Sequence, residues 1–293
     1  MPKPTPVFHV DVFATRALTG NGLAVFLGTD GWSAALMQRL TQEMNQFESI
    51  FLSEVTPRGA RARVFTVEEE LPFAGHPVLG AAAVLHRTQT PQATAATWTL
   101  KLASGDVPVS TTTLNGHWLA EKNQGEAVFG DAVAPAALQP VLVRLGLTPD
   151  DLAGGLSAQV ASTGLPYLIV PVRPEALARA AISGTDLEPL LAAQGAKFVL
   201  VLDVAGREVR TWDNLGRVED VATGSAAGPA AAYLFSLGLA DPSLPLELAQ
   251  GRFAGRASRI NIRRDGVNRL LVSGEVWPVL QGVLDLNATQ WSG

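Results

Sequence analysis

The sequence predicts an α+β protein that consists of two similar domains. Its 293 residues are enough for two domains of typical size, about 150 residues each. Strand-like and helix-like segments alternate along the chain. A Gly-containing loop and the small-residue helix after it occur at Gly75 and again at Gly224, which indicates a diverged internal repeat. We expect domains at residues 1–125 and 126–293, with a linker at Gln124–Pro135.

Composition excludes several classes of protein. The net charge of −5 and a pI near 5.4 argue against a nucleic-acid-binding surface, which requires concentrated Lys and Arg. The chain has no cysteine, so disulfides, thiolate metal sites and thiol nucleophiles are impossible. Its longest apolar runs, such as Val78–Leu85, are shorter than the roughly 20 residues of a membrane span. No signal-peptide core is visible, so we expect a cytoplasmic protein without a membrane partner.

The first half begins with a predicted hairpin. Turn residues at Leu18–Gly22 separate its two strands. Ser33 is a candidate N-cap for a helix in which Leu36 and Leu40 recur at helical spacing. The expected strands are Phe8–Phe13, Leu23–Leu27, Phe47–Leu52, Arg61–Val67, Thr97–Leu102 and Gly105–Thr111.

The segment Leu71–Leu85 places a histidine at the start of a helix. Pro77 favours the first helical turn, where its missing N–H has no intrahelical partner. His76 therefore lies at the helix N-terminus, between Gly75 and Pro77. The exposed N–H groups of such a terminus favour a negatively charged ligand.

The second half follows a similar order. Helices are expected at Pro140–Leu145 and Leu187–Gln194, and a Gly-rich turn at Glu219–Pro229 leads into another small-residue helix. In the repeat, Ser225 aligns with His76. The expected strands are Leu165–Val172, Lys197–Val204, Glu208–Trp212, Arg256–Arg264, Asn268–Ser273 and Val276–Leu286.

Four polar residues are candidates for chemistry. Glu48 shares a strand face with apolar residues, where a carboxylate is costly unless it is paired, protonated or used. His76, Asp220 and Ser225 lie at or near the two helix starts. Taken singly, each also fits a structural role, as a local hydrogen-bonding, packing or capping residue. Two helix N-termini that face each other across a domain cleft would hold a carboxylate-bearing substrate.

Several segments together resemble the PhzF family of phenazine-biosynthesis-like isomerases. They appear in family order and span most of the chain. The usual proline after Gly-Asn is Gly22 here, and Val221 replaces the common Pro or Ala. Neither position should supply a catalytic atom. The matching segments are Gly20–Val25, Asn45–Ser49, Leu71–Pro77, Leu79–Ala81, Ser162–Pro166 and Glu219–Pro229.

The resemblance implies the diaminopimelate epimerase-like fold: two pseudo-symmetric domains, each with a mixed barrel-like sheet around a central helix. On this model the C-terminal tail is a candidate to complete the first domain. Glu48 corresponds to the family's acid/base glutamate, with His76 and Asp220 holding and polarising the substrate. Gly75, Gly224 and Ser225 would bind its carboxylate. Metal and organic cofactors are not expected, and family members are commonly homodimers.

Alternative functions also fit these residues. The same Glu and His could serve a lyase or hydratase, because proton abstraction next to a carbonyl can end in elimination. A non-catalytic small-molecule-binding protein of the same fold is a further alternative. The two-thiol mechanism of related epimerases and proline racemases is excluded, because the chain has no cysteine. The four histidines lack zinc-enzyme spacing, and neither Gly-rich loop fits a nucleotide fingerprint.

Overall fold

The computed structural model describes residues 4–285. The described part of the chain divides into two compact units. The first unit falls within Met1–Lys122 and Ser273–Gly293, and the second falls within Asn123–Val272. Strands β8 (His117–Gly125) and β16 (Leu270–Leu284) each have residues in both ranges.

The first unit contains two helices and most of its strands before residue 122. Its helices are α1 (Ala34–Met44) and α2 (His76–Gln89). Besides β8 and β16, its strands are β1 (Thr5–Val12), β2 (Asn21–Leu27), β3 (Glu48–Thr56), β4 (Gly59–Thr66), β5 (Glu70–Leu71), β6 (Ala95–Leu102) and β7 (Gly105–Leu114).

Among the described residues, eight strands of this unit form a closed barrel. They run in the order β1-β2-β3-β4-β6-β7-β8-β16, and β16 pairs back onto β1. The pairs β2–β3 and β4–β6 are parallel because α1 and α2 provide their crossover connections. The pairs β1–β2, β3–β4, β6–β7, β7–β8 and β1–β16 are antiparallel. The sheet is therefore mixed, as predicted.

Helix α2 is the central helix of this barrel. It packs against β1, β2, β3, β4, β6 and β7, and all its residues from His76 to His86 are buried. Small side chains make this possible. A Cβ atom on Gly80 would lie 2.5 Å from Cδ2 of Leu23, so glycine is required where the helix approaches β2. Helix α1 packs on the other face of the sheet, through Leu36, Met37 and Leu40.

The second unit has four α-helices and seven strands besides the shared β8 and β16 among the described residues. The helices are α3 (Pro135–Arg144), α4 (Pro174–Arg179), α5 (Leu187–Ala192) and α6 (Gly224–Ser236). The strands are β9 (Val128–Ala132), β10 (Gln159–Ser162), β11 (Pro166–Val172), β12 (Phe198–Asp203), β13 (Glu208–Arg210), β14 (Leu246–Gln250) and β15 (Ser258–Arg264).

The second unit repeats the pattern of strand pairing of the first. Its sheet runs β15-β14-β13-β12-β11-β10-β9, with the pairs β11–β12 and β13–β14 parallel. Helix α6 packs against β10, β11, β12 and β15 and is buried along most of its length.

The structure corrects two predictions about individual segments. The expected linker Gln124–Pro135 contains β9, which pairs with β10. All five β9 residues are exposed, so the strand has no apolar alternation to reveal it. The strands expected at Asn268–Ser273 and Val276–Leu286 are one continuous strand, β16, because Gly274 and Glu275 stay extended in the ladder. Leu286 lies outside the described residues.

Within residues 4–285, no helix combines the length and apolar character needed to cross a membrane.

Candidate active site

The end of helix α1 positions Glu48. Asn45 terminates this helix in the left-handed conformation (φ 50°), which asparagine tolerates better than most residues, and its N–H donates to the Thr41 carbonyl. Three residues later β3 begins at Glu48. The Glu48 side chain lies on the same strand face as Ile50, and the residue is only 8% exposed. The sequence therefore places a buried carboxylate at the very start of a barrel strand.

The N-terminus of α2 brings His76 to this carboxylate. Nδ1 of His76 lies 3.4 Å from Oε2 of Glu48. The same nitrogen lies 3.4 Å from Nδ2 of the buried Asn21, at the start of β2. Nδ1 thus has both an acceptor and a donor within reach. Nε2 of His76 is buried and has no hydrogen-bond partner among residues 4–285, so it is left to interact with a ligand.

The imidazole of His76 is neutral at physiological pH. Burial and, as the smaller cause, the positive charge of Lys122 together lower the pKa of His76 to about 3. The contact between His76 and Glu48 is therefore polar rather than an ion pair. A neutral imidazole offers one N–H donor and one nitrogen acceptor, which suits it to polarise a substrate group or to relay a proton.

A third titratable group lies close to this pair. Lys122 is near the end of β8, and its Nζ donates to the carbonyl of Ala74 at 3.1 Å. Burial lowers the pKa of Lys122 to about 8, while the charge of Glu48 opposes that effect. The sequence analysis did not select this lysine.

In the second unit, a hydrogen-bond network holds the Asp220 carboxylate. The Thr223 hydroxyl donates to Oδ2 of Asp220 at 2.6 Å, and the Ala222 N–H donates to Oδ1 at 3.2 Å. Nε2 of Gln250 donates to the Thr223 hydroxyl oxygen, so the hydroxyl proton is directed at Asp220. Both carboxylate oxygens of Asp220 therefore accept hydrogen bonds that fix the orientation of the side chain.

Gln250 also fixes the backbone of this loop. It is 1% exposed, its Nε2 donates to the Asp220 carbonyl at 2.7 Å, and its Oε1 accepts from the Thr223 N–H at 2.9 Å. On the other side, Glu219 pairs with the buried Arg210 through two hydrogen bonds of 2.9 and 2.6 Å. The loop is therefore anchored immediately before and after Asp220.

The remaining predicted residues lie at the two helix starts. Gly75 caps α2 at its N-terminus, and Gly224 is the first residue of α6, where N–H groups have no intrahelical partner. The Ser225 hydroxyl lies 2.8 Å from the hydroxyl of Tyr167. The carbonyl of Gly224 accepts from Nε2 of Gln124 at 2.7 Å.

The structure thus brings Glu48 and His76 together in one unit. In the other unit it places Asp220 in the loop before α6, and Gly224 and Ser225 at the start of that helix. That the two groups of residues act on one substrate stays a prediction. Sequence reasoning missed four residues that contact these groups or lie beside them. Asn21 and Thr223 lie within the quoted motifs and could have been chosen there, whereas Lys122 and Gln250 act through contacts distant in sequence. Among residues 4–285, no three or more His, Asp or Glu side chains are grouped to hold a metal ion.

Comparison with known proteins identifies close relatives along the whole chain. Residues 10–282 match the family model of PhzC-PhzF, described as phenazine biosynthesis-like protein. A protein of Pseudomonas aeruginosa named trans-2,3-dihydro-3-hydroxyanthranilate isomerase is 32% identical over 281 residues, which cover 91% of this chain and 93% of that protein.

Solved structures give the same picture for the fold. A structure described as a predicted epimerase from Pseudomonas aeruginosa is 48% identical, with a TM-score of 0.90 over 96% of this chain and 99% of the other. A probable proline racemase from Agrobacterium radiobacter is 13% identical, with a TM-score of 0.65 over 97% of this chain and 93% of the other. The second likeness concerns the fold alone, and it confirms the predicted epimerase-like architecture.

Proposed function

Because the chain belongs to the PhzC/PhzF family of phenazine biosynthesis-like isomerases, we propose that Glu48 moves a proton on a small carboxylated substrate by general acid/base catalysis. The observation that carries this proposal is the buried carboxylate of Glu48, which lies beside the neutral imidazole of His76 at the N-terminus of α2. We further propose that the reaction uses neither a metal ion nor an organic cofactor.

The proposed reaction has two proton transfers. The Glu48 carboxylate removes a proton from a substrate carbon, and the electron pair of the broken C–H bond delocalises into the adjacent unsaturated system. Glu48, now a carboxylic acid, returns a proton to another carbon, so the double bond moves and no atoms are gained or lost. A well-placed general base contributes about 10²- to 10⁴-fold to the rate.

The neutral side chain of His76 would assist both transfers. Nδ1 contacts Glu48 and Asn21, while the partnerless Nε2 is available to the substrate. A neutral imidazole can stabilise negative charge that develops on a substrate heteroatom, and it does so without forming an ion pair with Glu48 beforehand.

The second unit would hold the polar groups of the substrate. Asp220 has both oxygens oriented by neighbouring donors, which suits it to bind a cationic or hydroxyl group. The starts of α2 and α6, with Gly75, Gly224 and Ser225, would bind the substrate carboxylate through N–H and hydroxyl donors. We place this substrate in the cleft that the sequence predicts between the two domains.

The curated relatives suggest the class of substrate. The Pseudomonas aeruginosa relative is named for trans-2,3-dihydro-3-hydroxyanthranilate, and anthranilates carry a carboxylate and an amino group. This pair of groups suits a site with helix N-termini for an anion and Asp220 for an amino group. We therefore propose carboxylated, partly unsaturated rings as the first substrates to examine.

The test is solvent exchange. The protein is incubated in D₂O with a panel of carboxylated cyclohexadienes and amino acids, and deuterium uptake and product structure are followed by NMR. We expect isomerisation with deuterium incorporation, and about 10²- to 10⁴-fold slower exchange in Glu48→Gln. Detection of a dehydrated product would indicate a lyase instead.

A control variant exists on the same strand. Glu54 also lies in β3, but its side chain is 63% exposed and pairs with the exposed Arg61. Glu54→Gln should exchange at the wild-type rate. If Glu48→Gln exchanged as fast as Glu54→Gln, Glu48 would not be the base.

We also propose, from the resemblance alone, that the protein is a cytoplasmic homodimer. Light scattering coupled to gel filtration measures the mass in solution. A mass of twice the chain mass of 30.8 kDa would support the dimer, and a mass of one chain would refute it.

A further inference from the structure

Lys122 occupies an unusual place in the barrel. Its side chain lies on the same face of β8 as the buried Trp118 and Ala120, because side chains alternate along a strand. In the ladder it stands opposite Val109 of β7, which is fully buried. A lysine at the end of an apolar face loses hydration and needs a compensating charge.

The position of its ammonium group is fixed by one hydrogen bond. Nζ donates to the carbonyl of Ala74 at 3.1 Å, two residues before His76. No other hydrogen bond or ion pair of Nζ occurs among the residues that the structure describes. Nζ can donate three hydrogen bonds, so two donors remain for a ligand or solvent at the mouth of α2.

Two titratable groups interact with Lys122 through space. The negative charge of Glu48 on β3 stabilises the ammonium form, and the ammonium in turn disfavours a proton on His76 of α2. These interactions are reciprocal, so the ammonium of Lys122 equally favours the carboxylate form of Glu48.

We infer that Lys122 is a positioning residue of the active site, whose ammonium group at the N-terminus of α2 favours the carboxylate form of Glu48 and adds to burial in favouring the neutral imidazole of His76 before substrate binds. The inference rests on the proposed role of Glu48 as the base. A base must be unprotonated when substrate arrives, and burial by itself disfavours a carboxylate. The ammonium of Lys122 opposes that effect of burial on Glu48.

Lysine-specific NMR tests the charge interaction without any substrate. The chain has only four lysines, Lys3, Lys101, Lys122 and Lys197, and Lys122→Arg identifies the signal of Lys122 by its loss. We expect that signal to titrate near pH 8, because burial lowers its pKa from the ordinary 10.5. In Glu48→Gln the midpoint should fall further, because the stabilising anion is gone, whereas Glu54→Gln should leave it unchanged.

The pH profile of catalysis tests the functional consequence. In Lys122→Met, we expect at least tenfold slower exchange at pH 7 and an acidic limb displaced to higher pH, because Glu48 no longer has its cation. Lys122→Arg keeps a permanent positive charge, so it should restore the acidic limb and remove any alkaline limb near pH 8. Lys101→Met, at an exposed position of β6, should behave as wild type.

The outcomes separate the two proposals. A Lys122 signal that titrates near pH 10.5 and ignores Glu48→Gln would overturn the inference even if Glu48 proves to be the base. If Glu48→Gln instead keeps full activity while the Lys122 midpoint responds to it, the proposed base is wrong and the charge partnership stands alone. A pH profile of Lys122→Met that matches wild type, with Glu48→Gln inactive, would remove Lys122 from catalysis.

Discussion

In the first unit, the central helix begins at His76 beside the buried carboxylate of Glu48 and the half-buried amine of Lys122. In the second unit, the corresponding helix begins at Gly224 beside hydroxyl and amide groups, with Asp220 in a fixed hydrogen-bond network. The two sheets share the same succession of parallel and antiparallel pairs. One topology therefore supports two different helix N-termini. We call Gly75 and His76, with Glu48 and Lys122, the first mouth, and Gly224 and Ser225, with Asp220, the second mouth.

The difference shows which part of the repeat was free to change. His76 corresponds to Ser225 in the repeat. The scaffold requires small residues inside each helix, whereas the residue at each helix start can be replaced. We interpret the first mouth as the place of proton transfer and the second as a rigid binding surface.

Among changes to the second unit, the largest expected effect comes from removing the charge of Asp220. Asp220→Asn keeps the size and the acceptor for the Ala222 N–H, but it removes the anion that Thr223 and Gln250 orient. We expect the exchange rate to fall by about 10²-fold, which is typical of losing one oriented polar group at a reacting centre. Exchange kinetics in D₂O measure it.

Glu247→Gln is the matched control for this variant. Glu247 lies in the neighbouring strand β14, is 55% exposed and pairs with Arg259 on the surface. It should retain the wild-type rate. If Asp220→Asn exchanged at the wild-type rate, the reaction would not need this carboxylate. The interpretation of the second unit as the binding surface for the substrate would then be wrong.

A smaller effect is expected from loosening the loop itself. Gln250→Leu leaves the buried Thr223 N–H without its acceptor, which costs about 1–3 kcal/mol in the free energy of unfolding. Urea denaturation measures this loss. Gln159→Leu removes a single exposed hydrogen bond to the Gly130 carbonyl and should cost less than about 0.5 kcal/mol. Equal losses in the two variants would contradict a rigid second mouth.

The last prediction concerns the slope of stability against pH, which changes by a small amount over each pH unit. The unfolded chain binds a proton on His76 near pH 6.5, but the folded chain does so only near pH 3. Between these values the unfolded state holds more protons, so stability falls as the pH falls. His76 alone contributes up to about 1.4 kcal/mol per pH unit to that slope.

The repeat provides the matched pair of variants for this measurement. His76→Asn should flatten the dependence of unfolding free energy on pH between 6.5 and 3, whereas Ser225→Ala should leave it as in wild type. Urea unfolding at a series of pH values in this window distinguishes them. The same slope in wild type and His76→Asn would show that the first mouth does not carry this buried titratable group.

Much of the fold could be predicted from local patterns. Helix α2 begins at His76 as Pro77 indicates, Ser33 caps α1 through a hydrogen bond from the Leu36 N–H, and the first two strands form the expected hairpin. Elements without such patterns were missed. Strand β9 is entirely exposed and β10 has only four residues, so neither shows a usable alternation.

The site was predictable to the same limited extent. Glu48 was recognisable as a carboxylate on an apolar strand face, and its burial confirms that placement. Lys122 and Gln250 could not be found in this way. Lys122 binds Ala74, which is 48 positions away in the chain, and Gln250 binds Thr223 and Asp220, which are 27 and 30 positions away. Such contacts depend on strand order and register, which a single sequence does not reveal.

The long strand β16 has a consequence for synthesis on the ribosome. The barrel of the first unit closes only when β16, which ends at Leu284, pairs with β1 at Thr5–Val12. Until β16 has been made, β1 keeps an open edge that can pair with other nascent chains. The second unit, whose residues are contiguous, can fold before the first is complete. In chains truncated after Val272, the second unit should therefore resist proteolysis while the first is cleaved.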